Sequence, residues 1–165
     1  ESLQPALARE AEFVIGNPAE NPTRLTCHDW LTDGEHTPWN QANIRAGQST
    51  RGDWAVRVEQ SGRYRITLRR WPAEAATPIT HGLPAGPGVP GEKAFRETPG
   101  KALAIRSAGI QIGNVQLEKD IEANADSVTF ATDLPAGSSR LSAHFVLADG
   151  QTIGAYYAQI ERLRE

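Results

Sequence analysis

Cys27 and His28 stand side by side, and His28, Asp29, Asp33, Glu35 and His36 fall within nine residues of one another. A cysteine beside a histidine offers a nucleophile and a base, while a cluster of His, Asp and Glu offers metal ligands, so both chemistries are weighed first. Residues 25–30 read as a strand, and adjacent strand side chains point to opposite faces, so Cys27 and His28 cannot act on each other. Cys27 reads instead as a small buried apolar residue. The histidine and acid cluster matches no familiar ligand spacing and reads as solvated charge in a polar loop. Calcium held by loop carbonyls and carboxylates leaves no trace in a sequence, so a structural calcium at a sandwich edge stays open. The glycine-rich run 86–93 resembles a phosphate loop only superficially. Pro87 and Pro90 remove backbone donors, Glu92 stands where a lysine is needed, and no Ser or Thr follows Lys93.

The aromatic residues carry more information. Trp54 is in phase with an apolar face and reads as core. Trp71 follows Arg69 and Arg70, which break the alternation, and it lands beside Pro72 at a strand end. Trp30 and Trp39 lie at a strand end and in a loop, and Tyr157 is out of phase with Tyr156, Ala158 and Ile160. Aromatic faces suit the apolar faces of sugar rings. Nearby His28, Asp29, Asn40, Gln41, Arg69 or Arg70 would then bond hydroxyl or sulfate oxygens. The competing reading has these tryptophans pinning loops to the core or packing on a neighbouring domain.

The elements that must position these residues are strands. In residues 52–71, Trp54, Val56 and Val58 alternate with Ala55, Arg57 and Glu59, Tyr64, Ile66 and Leu68 alternate with Arg63, Arg65, Thr67 and Arg69, and Gln60-Ser61-Gly62 lies between the two arms. That pattern predicts a β-hairpin. Residues 1–12 read as a short helix or a linker from a preceding domain, 13–16 as a short strand, and 31–53 as a long structured loop. Residues 72–100 are crowded with proline and glycine, and a segment of that length without regular structure is unusual in a compact domain. Three short apolar runs follow between Leu103 and Leu117, then alternating strands at 128–132 and 141–147, and one long final strand at 153–163. Roughly nine to ten short strands with frequent turn signals and almost no helix predict an all-β fold. A β-sandwich of jelly-roll type is expected over residues 13–165.

With 165 residues the chain suits one domain, and a net charge of −3 with a pI near 5.8 gives no basic face for nucleic acid. No run approaches the roughly 18 apolar residues of a membrane span. Neither nucleic acid nor membrane is an expected partner. The lone Cys27 makes no internal disulfide. Methionine is absent even at position 1, which reads as a processed protein or an excised part of a longer one.

Several phrases resemble the C-terminal appended domain of bacterial arylsulfatase-type enzymes. They are Asn21 through Trp30, Pro38-Trp39-Asn40-Gln41, Gly52 through Val58, Gly62-Arg63-Tyr64, Leu68-Arg69-Arg70-Trp71-Pro72 and Gly154-Ala155-Tyr156-Tyr157. The resemblance spans about residues 12–163, and more loosely the Gly62-Arg63-Tyr64 strand and the Leu134-Pro135-Ala136-Gly137 turn resemble galactose-binding-like jelly rolls. The first resemblance implies a parent sulfatase, periplasmic or extracellular, that carries calcium and formylglycine and hydrolyses sulfate esters. The formylglycine motif Cys/Ser-x-Pro-x-Arg is missing, since His28, Asp29, Trp30 and Leu31 follow Cys27. No catalytic residue and no cofactor is therefore expected within this chain. The resemblance implies a non-catalytic accessory domain whose partner is the sulfatase catalytic domain of the same polypeptide. His28, Asp29, Trp30, Trp39, Asn40 and Gln41 would pack on that domain or line its cleft. The alternative is a carbohydrate-binding module for sulfated or neutral polysaccharide. Trp39, Trp71 and Tyr157 would then be platforms, and Arg69 or Arg70 would pair with sulfate.

Overall fold

A computed structural model describes residues 11–34, 36–38, 41–86 and 99–164. Alternating apolar residues do become strands, and they assemble into two sheets packed face to face. The expected all-β sandwich of jelly-roll type is the fold. One sheet is built from β1 (Phe13–Ile15), β3 (Asp53–Val58), β5 (Ile105–Ile112), β6 (Val115–Asp120), β8 (Gly137–Leu147) and β9 (Thr152–Gly154). Its order is β1-β3-β8-β5-β6, with β9 continuing beside β8. The other sheet holds β2 (Thr23–Thr26), β4 (Gly62–Arg69), β7 (Val128–Leu134) and β10 (Tyr157–Arg162), in the order β2-β10-β4-β7.

The expected hairpin at 52–71 has the right strands and the wrong pairing. β3 pairs with β1 and β8, whereas β4 pairs with β10 and β7, so the two arms belong to opposite sheets. Both apolar faces are buried all the same. Trp54, Val56 and Val58 come from one side and Tyr64, Ile66 and Leu68 from the other, all at most 3% exposed. Burying each such side chain contributes about 1.5–3 kcal/mol wherever the burial occurs. Alternation thus fixes which face goes inward but is indifferent to which strand lies alongside.

Other boundaries differ in instructive ways. The strand expected at 25–30 stops at Thr26 and turns into a 3-10 turn, Cys27–Asp29, which leaves Cys27 buried and His28 and Asp29 exposed. Cys27 is buried as expected, but by a turn rather than by strand alternation. The 31–53 loop contains a short helix, α1 (Gln41–Ala46), anchored by fully buried Ile44. The first two of the three short runs expected between Leu103 and Leu117 join into one strand, β5, which continues through Gly109. The long final strand is two strands in different sheets, β9 and β10. The chain crosses between them at Ala155 and Tyr156, both fully buried. Ala155 N–H still bonds the Ala143 carbonyl of one sheet, while the Tyr156 carbonyl accepts from Cys27 N–H beside the other. The helix expected at the N-terminus and the glycine-rich run from Pro87 onward lie outside the described residues.

Candidate functional site

The outer face of the four-stranded sheet is where exposed polar side chains, one aromatic ring and a cavity coincide. β10 runs between β2 and β4, and register aligns their outward side chains into rows. Thr26, Tyr157 and Arg69 form one row, Arg24, Gln159 and Thr67 the next, and Glu161 with Arg65 a third. Beyond β4 the chain turns at Pro72 into a short 3-10 turn, Ala73–Ala75, which rises beside the first two rows. Sheet and turn enclose an open cavity of about 200 Å³, with Tyr157, Arg69, Arg24, Gln159 and Thr67 on the sheet side and Pro72, Ala73 and Glu74 on the wall.

Tyr157 is half-buried and held in place. The Gln41 amide, on the first residue of α1, donates a 2.9 Å hydrogen bond to the Tyr157 hydroxyl. Burial pushes the phenol above its ordinary value, so it stays protonated at neutral pH. The ring is therefore a fixed amphipathic surface, apolar on its face and polar at its tip.

The outward arginines all have carboxylate partners. Arg69 meets Asp126 at 3.0 Å, Arg65 meets Glu161 at 2.5 Å, Arg63 meets Asp133 at 3.4 Å and Arg24 meets Glu74 at 3.9 Å. The Ser127 hydroxyl, with Arg69 behind it, holds the Asp126 carboxyl below the usual carboxylate range.

The expected site residues separate into groups. Gln41 and Tyr157 come together at the cavity, with Arg69 directly opposite Tyr157. His28 and Asp29 are exposed and do not line the cavity, although the hydroxyl of Thr26, which does, donates to Asp29 Oδ2 at 3.3 Å. Trp39 and Asn40 lie outside the described residues. Trp30, Arg70 and Trp71 are internal. Trp30 is 5% exposed and packs on Trp54 and Tyr156 with ring centroids 5.8 and 6.0 Å away. Glycine at 154 is required by this packing, because a Cβ there would overlap the Trp30 ring.

Arg70 is fully buried and Trp71 nearly so, which removes both from any ligand-facing surface in this fold. Arg70 continues the inward phase of Tyr64, Ile66 and Leu68, so its position follows from the alternation and its charge is accommodated locally. Its guanidinium donates to the carbonyls of Ile79 (3.4 Å), His81 (3.2 Å) and Lys101 and lies 4.3 Å from the Trp71 ring centroid. Trp71 Nε1 donates to the same His81 carbonyl at 3.0 Å. Burial lowers the Arg70 pKa to about 10, which leaves it charged at neutral pH. The pair clamps two loops to the end of the sandwich.

Reading single residues missed Arg24, Thr67, Gln159 and Glu74. Each of the first three is in the outward phase of its own strand, and that much is visible in the sequence. Their meeting depends on register between strands far apart in the chain. Burial pushes the Cys27 thiol up to about 12, so it is no thiolate nucleophile at neutral pH. Among the described residues no three His, Cys, Asp or Glu side chains are grouped to hold a metal ion.

No family model matches this chain, and no curated protein does. Among solved structures it is similar to a ruminal GH26 endo-β-1,4-mannanase, with 13% identity and a TM-score of 0.45 over 87% of this chain and 26% of that one. It is similar to a Podospora anserina GH26-CBM35 β-(1,4)-mannanase, with 10% identity and a TM-score of 0.43 over 88% of this chain and 29% of that one. It is also similar to CBM35 from Cellvibrio japonicus Abf62, with 16% identity and a TM-score of 0.41 over 87% and 98% of the two chains. The chain spans about a quarter of the length of the first mannanase. Likeness at this level says nothing of a ligand, and none of these findings supports a sulfatase-appended domain specifically.

Proposed function

We propose that this chain is a non-catalytic carbohydrate-binding domain that holds a polysaccharide against the outer face of its four-stranded sheet, with Tyr157 as the platform. The observation that carries the reading is the cavity itself. A ring fixed by Gln41 is bordered in register by Arg69, Gln159 and Arg24 and walled by Pro72 and Glu74. A sugar ring has an apolar C–H face and a rim of hydroxyls that both donate and accept. The cavity supplies one aromatic surface and a surround of guanidinium, amide, hydroxyl and carboxylate groups. Docking of the domain on a sulfatase catalytic core rests on the motif resemblance alone.

Affinity electrophoresis through gels cast with neutral and anionic polysaccharides tests the reading, with Tyr157→Ala and Gln159→Ala run alongside the parent chain. Retardation by at least one glycan, reduced in both variants while their far-UV spectra and urea midpoints show them folded, is the expected result. Absence of retardation by every glycan would overturn it and return the docking interpretation to first place.

A further inference from the structure

On the reading of the Tyr157 cavity as a glycan site, we infer that its ligand class is neutral polysaccharide and that sulfated and uronate-rich chains are poor ligands. The basis is the pairing of charge on the sheet face. β2 and β4 present four arginines outward, and each is met by a carboxylate from a neighbouring strand or turn. Those pairs sum to four positive and four negative charges, so together they add no net charge to the face. The chain as a whole is also negative, at −3. A polyanion approaching this face meets no attraction at long range and a carboxylate beside each guanidinium at short range.

The same pairing suits a neutral polyol. Arg65 directs Nε and Nη2 to a single carboxylate oxygen, Glu161 Oε2, at 3.2 and 2.5 Å. Arg69 directs Nη1 to Asp126 Oδ2 at 3.0 Å. A guanidinium has five N–H donors in one plane, so each of these arginines keeps donors beyond those bonds. Each carboxylate keeps lone pairs. A hydroxyl that lies across such a pair accepts from the cation and donates to the anion. A sulfate ester or an ionised uronate only accepts, and so satisfies one half while being repelled by the other. The close carboxylate partners of Arg65 and Arg69 also restrict those two side chains before any ligand arrives, which lowers the ordering cost of binding.

The test measures retention of the full chain by a neutral galactomannan, a polygalacturonate and a carrageenan, at about 20 mM and about 500 mM sodium chloride, salt levels that span weak and strong screening. Tyr157→Ala and the double variant Asp126→Asn/Glu161→Gln are run in parallel. Retention by the neutral glycan that changes less than about twofold with salt is expected, with loss in Tyr157→Ala. The double variant, freed of two carboxylates, is expected to gain severalfold retention by the anionic glycans at low salt only. Wild-type retention by an anionic glycan that collapses at high salt and depends on Tyr157 would overturn the neutral-ligand inference and leave the glycan site standing. Retention by none of the three, or retention indifferent to Tyr157→Ala, would overturn the site and the inference together.

Discussion

Gln41 and Tyr157 are 116 residues apart in sequence, and the Gln41 amide donates a 2.9 Å hydrogen bond to the Tyr157 hydroxyl. That bond ties α1 to the outer face of the four-stranded sheet and fixes the ring that floors the cavity. Gln41→Leu removes the donor without changing the sheet. Glycan retention is expected to fall severalfold, while unfolding free energy drops by only about 1 kcal/mol, the usual net worth of one hydrogen bond. Affinity electrophoresis and urea denaturation read the two effects separately. Unchanged retention would mean that the ring needs no anchor.

Arg70 is a structural cation. Replacing it with methionine keeps much of the volume but leaves the carbonyls of Ile79 and Lys101 without their shared donor, while the His81 carbonyl keeps its bond from Trp71 Nε1. A loss of about 3 kcal/mol is expected from the stranded carbonyls, and Arg70→Lys should recover little, because an ammonium lacks the planar fork. Urea unfolding of both variants checks this. A loss within about 0.5 kcal/mol, the range of ordinary surface substitutions, would refute the clamp.

Cys27 is fully buried, with its thiol pushed up to about 12 by that burial. Native protein should resist an alkylating reagent at about pH 8, where an ordinary exposed thiol reacts readily, and urea should make the single cysteine fully reactive. Timed mass spectrometry of the alkylated chain decides the matter. Rapid labelling of the native state would show that the 3-10 turn opens freely.

His144 lies against the Cα of Gly109 on the outer face of the larger sheet, so closely that a Cβ at 109 would stand 2.5 Å from its Cε1. Burial depresses its pKa below the ordinary 6.5, with Arg51 adding to the effect and Glu118 opposing it. The unfolded chain then takes up this proton at higher pH than the folded one. The stability contribution is therefore complete above 6.5 and is lost as pH falls through the depressed folded value. Urea midpoints measured down from neutral pH should decline through this window, and His144→Gln should flatten part of that decline. An identical pH profile in the variant would remove His144 from the account.

The sequence by itself determined the class of fold and most strand positions, because the period of two is a property of a few consecutive residues. It made Trp54, Tyr64, Ile66 and Leu68 internal and turned Tyr157 outward relative to Tyr156. By the same phase it made Arg70 internal, although a charged residue at a strand end invited the opposite interpretation. Only the tertiary structure decided which strands pair. The arms of 52–71 separate into two sheets, since the apolar faces of β3 and β4 are buried as well across a sandwich as beside each other. Only the tertiary structure brought Arg24, Gln159 and Thr67 into one row, or Gln41 onto Tyr157, because register between distant strands follows from closing the whole core. Carboxylate pairing of the outward arginines has the same origin. Arg65 and Glu161 are separated by 96 residues, and only the β4–β10 pairing sets them opposite each other.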